Sequence, residues 1–260
     1  MERDALRHGI PGLSGAALLI IAPAIGSFLG VIIRRLPEGR PIVWSRSRCE
    51  SCGSVLTARD LVPLVSWPML RGRCRSCDHR LGWFYPGVEI AALLVAVTAL
   101  AIDDLTRAWL DCLLGWWLLL LGWIDLRCWM LPDVLTLPLI VAGLIEAAVF
   151  EPESIFERAL GAAAGYLALR AVAISYRVMR GREGLGAGDA KLFGAAGAWL
   201  GVMALPEVIL AAALTALVAA GALRLGGIRL HAHSALPFGP FIALSIWAYW
   251  LCGSLFALSP

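Results

Sequence analysis

Eight apolar runs divide the chain, at about 13–33, 86–102, 108–124, 134–150, 158–178, 190–204, 206–223 and 236–257. A bilayer span needs about 20 mainly apolar residues. Backbone surrounded by lipid must satisfy its own hydrogen bonds, which leaves only helices or closed barrels. The alternating segments of a barrel are absent, so the runs predict an all-α polytopic membrane protein of about eight transmembrane helices. Hydrophobic residues make up 60% of the 260 and charged ones 16%. Soluble domains have about 45–50% and about 25%, so a soluble enzyme is excluded. The first run is too long for a signal-peptide core and leads straight into Arg34-Arg35, so it reads as a span rather than a removable leader. The weakest boundary lies between the sixth and seventh runs, where only Pro206-Glu207 interrupts.

Lys and Arg decide which loops stay in the cytoplasm. Segment 34–85 holds ten Arg against four acids, Glu38, Glu50, Asp60 and Asp78. It is expected to be cytoplasmic. Alternation then places Asp103-Asp104 and Glu151 to Glu157 outside, and Asp125 to Asp133, Arg177 to Lys191 and Arg224 to His233 inside. The basic loops all fall on one side, and both termini fall on the other. The plan is a first transmembrane helix (1–33), a cytoplasmic loop (34–85) and a membrane domain with seven further helices (86–260).

The loop is too short for a large core and needs a staple. Cys49-x-x-Cys52 and Cys74-x-x-Cys77, with 21 residues between the pairs, supply one. This pattern fits a four-thiolate zinc site, although the gap is slightly longer than the usual 15–20 or so. The reducing compartment disfavours disulfides, so a redox or disulfide role, and after it an iron–sulfur cluster, are the alternatives to zinc. Four thiolates close the coordination sphere, so zinc here is structural. Cys112, Cys128 and Cys252 lie singly in or beside apolar runs and are expected to be small buried hydrophobes.

Two carboxylates end up at the cytoplasmic ends of their helices: Asp125 in Ile124-Asp125-Leu126-Arg127, and Asp189 in Gly186-Ala187-Gly188-Asp189. Either alone reads equally well as a solvated interfacial residue. Facing one cavity, they could activate water, since close like charges share one proton and leave one acid and one base. Ionisable groups at membrane depth are functional suspects. Asp133 is a rival better explained by first-turn stabilisation of the following helix. Asp103 and Asp104 face the wrong side, and Asp111 reads as an outer-interface residue. Asp125 ends one helix and Asp189 begins another, so the helix dipoles favour Asp189 as base and Asp125 as acid.

Taken together, these residues resemble the type IV prepilin peptidases, bifunctional membrane enzymes of the GxGD aspartyl class. The resemblance runs through Gly26-Ser27-Phe28-Leu29-Gly30, both CxxC pairs, Ser66-Trp67, Leu70-Arg71-Gly72-Arg73-Cys74 and Tyr85-Pro86-x-x-Glu89. It continues through Asp125, Leu131-Pro132-Asp133, Gly186 to Leu192, Gly197 to Gly201 and Pro237-Phe238-Gly239-Pro240-Phe241. It implies cleavage of the leader of type IV prepilins or type II secretion pseudopilins after a glycine. It also implies methylation of the new N-terminus with S-adenosylmethionine, in the bacterial cytoplasmic (inner) membrane, with the active site facing the cytoplasm. By motif, Asp125 and Asp189 are catalytic. Gly72 matches a glycine associated with methyl transfer, and Gly30 stands where the family usually has Asn, also in the methyl-transfer region.

Further residues carry two readings each. Gly186 and Gly188 allow backbone conformations that a β-carbon forbids, either to admit a substrate strand beside Asp189 or simply as a flexible turn. Lys191 touches substrate or anchors the interface. Glu89 meets a substrate amine or snorkels. Gly72 serves methyl transfer or only the tight turn before Cys74. His231 and His233 read as a solvated loop. The basic segment lacks interleaved aromatics, so lipid headgroups rather than nucleic acid are its expected partner. The rival function is a non-enzymatic zinc-containing scaffold or transporter whose loop recruits a partner; a transporter would show inverted repeats, and no convincing internal repeat is present. A peptidase without methyl transfer is the narrower alternative.

Overall fold

The computed structural model describes residues 13–44, 46–181, 184–227 and 236–254. Among these the regular structure is helical: α1 (Leu13–Arg35), α2 (Ser66–Met69), α3 (Phe84–Ile102), α4 (Leu105–Cys128), α5 (Asp133–Phe150), α6 (Ile155–Arg180), α7 (Ala187–Leu200), α8 (Leu205–Leu225) and α9 (Gly239–Cys252). Each expected apolar run contains one of these helices. The sixth and seventh part at Gly201, whose φ of +84° ends α7, before Pro206 enters the first turn of α8. His231 and His233 lie outside the described residues.

Six of the described helices are long and apolar enough to cross a membrane, against the eight expected. The difference lies in α7 and α9, each of 14 residues. At about 1.5 Å per residue they rise roughly 21 Å, short of an about 30 Å hydrocarbon core. For α7 the reason is visible in its packing. It is sheathed by α5, α6, α8 and α9, and Ala190, Leu192, Phe193 and Trp199 are buried. A helix enclosed by other helices has no need to match the bilayer thickness.

Packing divides the chain into two units, Met1–Trp116 and Trp117–Pro260, with the boundary inside α4. In the first unit α1 packs on α3. Their backbones touch at Gly26, where a β-carbon would stand 2.7 Å from Glu89 Cα. In the second unit α6 and α7 approach as closely. A β-carbon on Gly197 would lie 2.1 Å from the Gly161 carbonyl, and one on Gly165 would lie 2.6 Å from the Phe193 carbonyl. Small residues let membrane helices come this close, where dispersion replaces the absent hydrophobic drive. Trp199 fastens the other flank of α7 by donating its indole N–H to the Leu139 carbonyl of α5 at 2.9 Å.

Asp111, on the second turn of α4, is fully buried within the protein. One expectation is corrected. Cys112 is buried as expected, but Cys128 and Cys252 are exposed, since each is the last residue of its helix.

Candidate active site

Asp125 occupies the last turn of α4 and Asp189 the first turn of α7. Both are buried, 6% and 8% exposed. The Asp125 carboxylate is a Coulombic neighbour of Asp189. Each is held by a backbone amide. Gly186 N–H donates to Asp189 Oδ2 at 3.2 Å, and Gly239 N–H donates to Asp125 Oδ2 at 3.0 Å.

The loop after α4 builds the floor between them. The chain turns at Trp129, with φ of +56°, and inserts Leu131, which is buried. Gly188 and Gly239 both press on this side chain. A β-carbon on Gly188 would stand 2.7 Å from Leu131 Cβ. One on Gly239 would stand 2.7 Å from Asp125 Oδ2 and 3.2 Å from Leu131 Cδ1. The glycines are therefore required by space. Gly186 has an ordinary extended backbone (φ −68°, ψ 144°) and Gly188 is helical, which corrects the expectation of special dihedral angles.

Lys191 Nζ pairs with Asp133 Oδ1 at 2.5 Å. The pair ties the first turn of α7 to the first turn of α5, a partner for Asp133 beyond its expected place in the first turn of α5.

Glu89, Gly72 and the four cysteines belong to the first unit. Glu89 is buried at 6% exposure and accepts the Leu64 N–H at 2.8 Å. It does not snorkel. Gly72 sits in the left-handed region, φ +65°, with the Trp67 ring 2.9 Å from where a β-carbon would stand. Its N–H donates to the Trp67 carbonyl and its carbonyl accepts from Leu81. It closes the turn before Cys74, where glycine avoids both the left-handed cost and the clash a β-carbon would make with the Trp67 ring.

The two CxxC segments fold alike. Cys49 N–H donates to Ser54 and Gly53 N–H to Cys49. In the second, Cys74 N–H donates to His79 and Asp78 N–H to Cys74. Gly53 and Asp78, each four residues after the first cysteine, are left-handed at φ +71° and +58°. The four sulfurs lie within 4.8 Å of one another, and Cys49 Sγ stands 3.8 Å from Cys77 Sγ. With metal–sulfur bonds of about 2.3 Å, a tetrahedron has edges of about 3.8 Å, so the cluster could hold a metal ion. Backbone N–H groups of Ser76 and Cys77 bring the Cys74 thiol down to about 6, toward the thiolate a metal requires. Asp60 braces the loop between the Thr57 hydroxyl at 2.7 Å and Arg75 at 2.8 Å.

Sequence reasoning gave no role to Gly239, Leu131 or Arg34. The Gly239-Pro240 pair was the available signal, since proline in a first turn marks a helix start and its free amides. Nothing in the sequence pairs that start with Asp125.

Comparison with known proteins covers most of the chain. The bacterial peptidase A24 N-terminal domain matches residues 20–102, and the type IV leader peptidase family matches residues 112–221. A prepilin leader peptidase/N-methyltransferase of Aeromonas hydrophila is 37% identical over 276 residues, spanning 95% of this chain and 94% of the relative. One from Dickeya chrysanthemi is 38% identical over 271 residues, covering 94% and 95%. One from Pseudomonas aeruginosa is 34% identical over 264 residues, covering 90% and 89%. No solved structure matches.

Proposed function

The chain belongs to the type IV leader peptidase family, and from that premise we propose how its residues divide the work. The protein is a multi-pass membrane enzyme, a prepilin leader peptidase with N-methyltransferase activity. Asp125 and Asp189 are its catalytic pair. One carboxylate takes a proton from water, and the oxygen adds to the scissile carbonyl carbon. The other gives a proton as the C–N bond breaks, leaving a carboxylate on the leader and a new amine on the mature protein. The observation that carries this reading is the pair of buried carboxylates, with Asp125 near enough to act electrostatically on Asp189 and each fixed by one backbone amide.

Gly186 leaves room for a substrate strand beside Asp189, and Gly188 lets Leu131 pack against the first turn of α7. Lys191 acts through Asp133 rather than on substrate, since that carboxylate already engages its ammonium. Cys49, Cys52, Cys74 and Cys77 hold a structural zinc that takes the place of a core in segment 34–85. Bound S-adenosylmethionine supplies an electrophilic methyl group. When bound, it would deliver that methyl group to the new amine, which would have to be neutral to accept it.

Substrates are type IV prepilins or type II secretion pseudopilins, cut after glycine. The membrane is the bacterial cytoplasmic membrane, with segments 34–85 and 177–191 inside. The domain plan is 1–33, 34–85 and 86–260, the last carrying the peptidase. The test is mass spectrometry of a prepilin incubated with purified protein, with and without S-adenosylmethionine. Loss of the leader followed by a gain of one methyl group is the expected result. An uncut substrate would return the chain to the scaffold reading, and a cut but unmethylated one would leave a peptidase alone.

A further inference from the structure

The first unit contains a partly open cavity of about 600 Å³, inside the range of roughly 300–1,000 Å³ typical of small-molecule and cofactor sites. Three kinds of group meet in its wall. Arg34 lies over the rings of Phe84 and Tyr85, 4.9 and 5.1 Å from their centroids, and pairs with Glu50. Its Nε–H is buried without a hydrogen-bond partner. Glu89 adds a buried carboxylate, anchored by Leu64 N–H. Trp67, Phe84 and Tyr85 add aromatic faces.

A sulfonium-bearing nucleoside amino acid presents complementary groups. Its carboxylate suits a guanidinium. Its sulfonium and ammonium suit an aromatic face or a carboxylate. Its adenine suits stacking on a flat side chain. An Arg offers five donors, so the Glu50 pairing leaves Arg34 with capacity for a second acceptor.

We propose that this cavity is where the methyl donor S-adenosylmethionine binds, with Arg34 and Glu89 as its charged contacts and Trp67, Phe84 and Tyr85 as its aromatic ones. The inference rests on the methyltransferase reading above. It also gives the metal cluster a task. Cys49 and Glu50 line the same cavity, so the knuckle that holds the metal also forms part of the donor's wall. Every lining residue lies in the first unit, and both aspartates lie in the second.

The test uses the full-length protein in detergent or nanodiscs. Radiolabelled S-adenosylmethionine is bound to the wild type, then photo-cross-linked by ultraviolet light, and the labelled peptide is mapped. Label on peptides containing Trp67 or Phe84 to Glu89 is the expected result. In equilibrium dialysis with S-adenosylhomocysteine, Glu89→Gln and Arg34→Gln should bind roughly tenfold or more weakly, as expected for losing one charge-assisted hydrogen bond. Should either variant fail to fold, the label map on wild type still decides. Label confined to the second unit, or wild-type affinity in both folded variants, overturns the cavity and leaves methyl transfer standing. A wild type that neither binds the donor nor methylates a cut prepilin overturns the methyltransferase reading, and this inference with it.

Discussion

The backbone N–H of Gly239 donates to the Asp125 carboxylate at 3.0 Å across 114 residues of sequence. Asp125 thus stands at the C-terminal end of its own helix but against the N-terminal end of α9. Asp189 stands at the N-terminal end of α7. Helix ends contribute roughly 0.3–1 kcal/mol each. The two contributions at Asp125 oppose one another, so the dipole asymmetry that the sequence offered for telling acid from base is weakened, and only the N-terminus of α7 still favours Asp189 as the base. The two carboxylates are best treated as one coupled titrating unit.

Gly239 should be as intolerant as the aspartates. A β-carbon there would meet Asp125 Oδ2 at 2.7 Å, so Gly239→Ala must displace the carboxylate or α9. Cleavage should fall by roughly tenfold or more, equivalent to about 1.4 kcal/mol of transition-state stabilisation. Methylation of a pre-cut substrate should persist. Full cleavage by this variant in a timed prepilin assay would dismiss the close contact as unimportant.

Asp125→Asn and Asp189→Asn should each abolish leader removal while the protein accumulates normally, because each of the two proton transfers needs its own group. Immunoblots for protein level, run beside the cleavage assay, separate loss of chemistry from loss of fold. Appreciable cleavage by either variant would remove that residue from the proposed pair.

The Lys191–Asp133 contact can be sorted by comparing its two ends. The ammonium is partly exposed and the carboxylate largely so, and exposed ion pairs are worth about 0–1 kcal/mol. Lys191→Met and Asp133→Asn should therefore have similarly small effects on thermal stability and on cleavage. A large rise in KM for Lys191→Met alone would show that the lysine reaches substrate directly.

Elemental analysis of protein purified without chelator should find about one zinc per chain, as a closed four-thiolate site predicts. Cys49→Ser should lower zinc content and depress methyl transfer more than cleavage, because Cys49 lines the first-unit cavity while both aspartates lie in the second unit. Equal loss of both activities would contradict that separation.

Gly30 provides an independent probe of the same region. A β-carbon there would stand 2.8 Å from the Tyr85 ring, so Gly30→Asn should push Tyr85 away from Arg34. The KM for S-adenosylmethionine should rise several-fold with the cleavage rate unchanged. An unaltered KM would show that the ring yields without consequence.

The sequence alone determined what depends on local chemistry. Runs of about 20 apolar residues must become helices wherever lipid denies the backbone other partners. Paired CxxC knuckles announce their own cluster, since the turn that bends the chain around a metal is local. The order of motifs carried the family resemblance, and with it Asp125 and Asp189. What only the tertiary structure decided depends on contacts between distant segments. Gly239 meets Asp125 because α9 begins there, and no periodicity in either segment records that meeting. Gly188 looked like a conformational residue and proved to be a spatial one, because Leu131 arrives from another loop. Length by itself could not separate a helix that faces lipid from one that faces helices. That is why α7 read like the other spans, where the structure shows a short, enclosed helix carrying Asp189. In each case the deciding term is steric exclusion between segments far apart in the chain, and a linear pattern of side chains does not contain it.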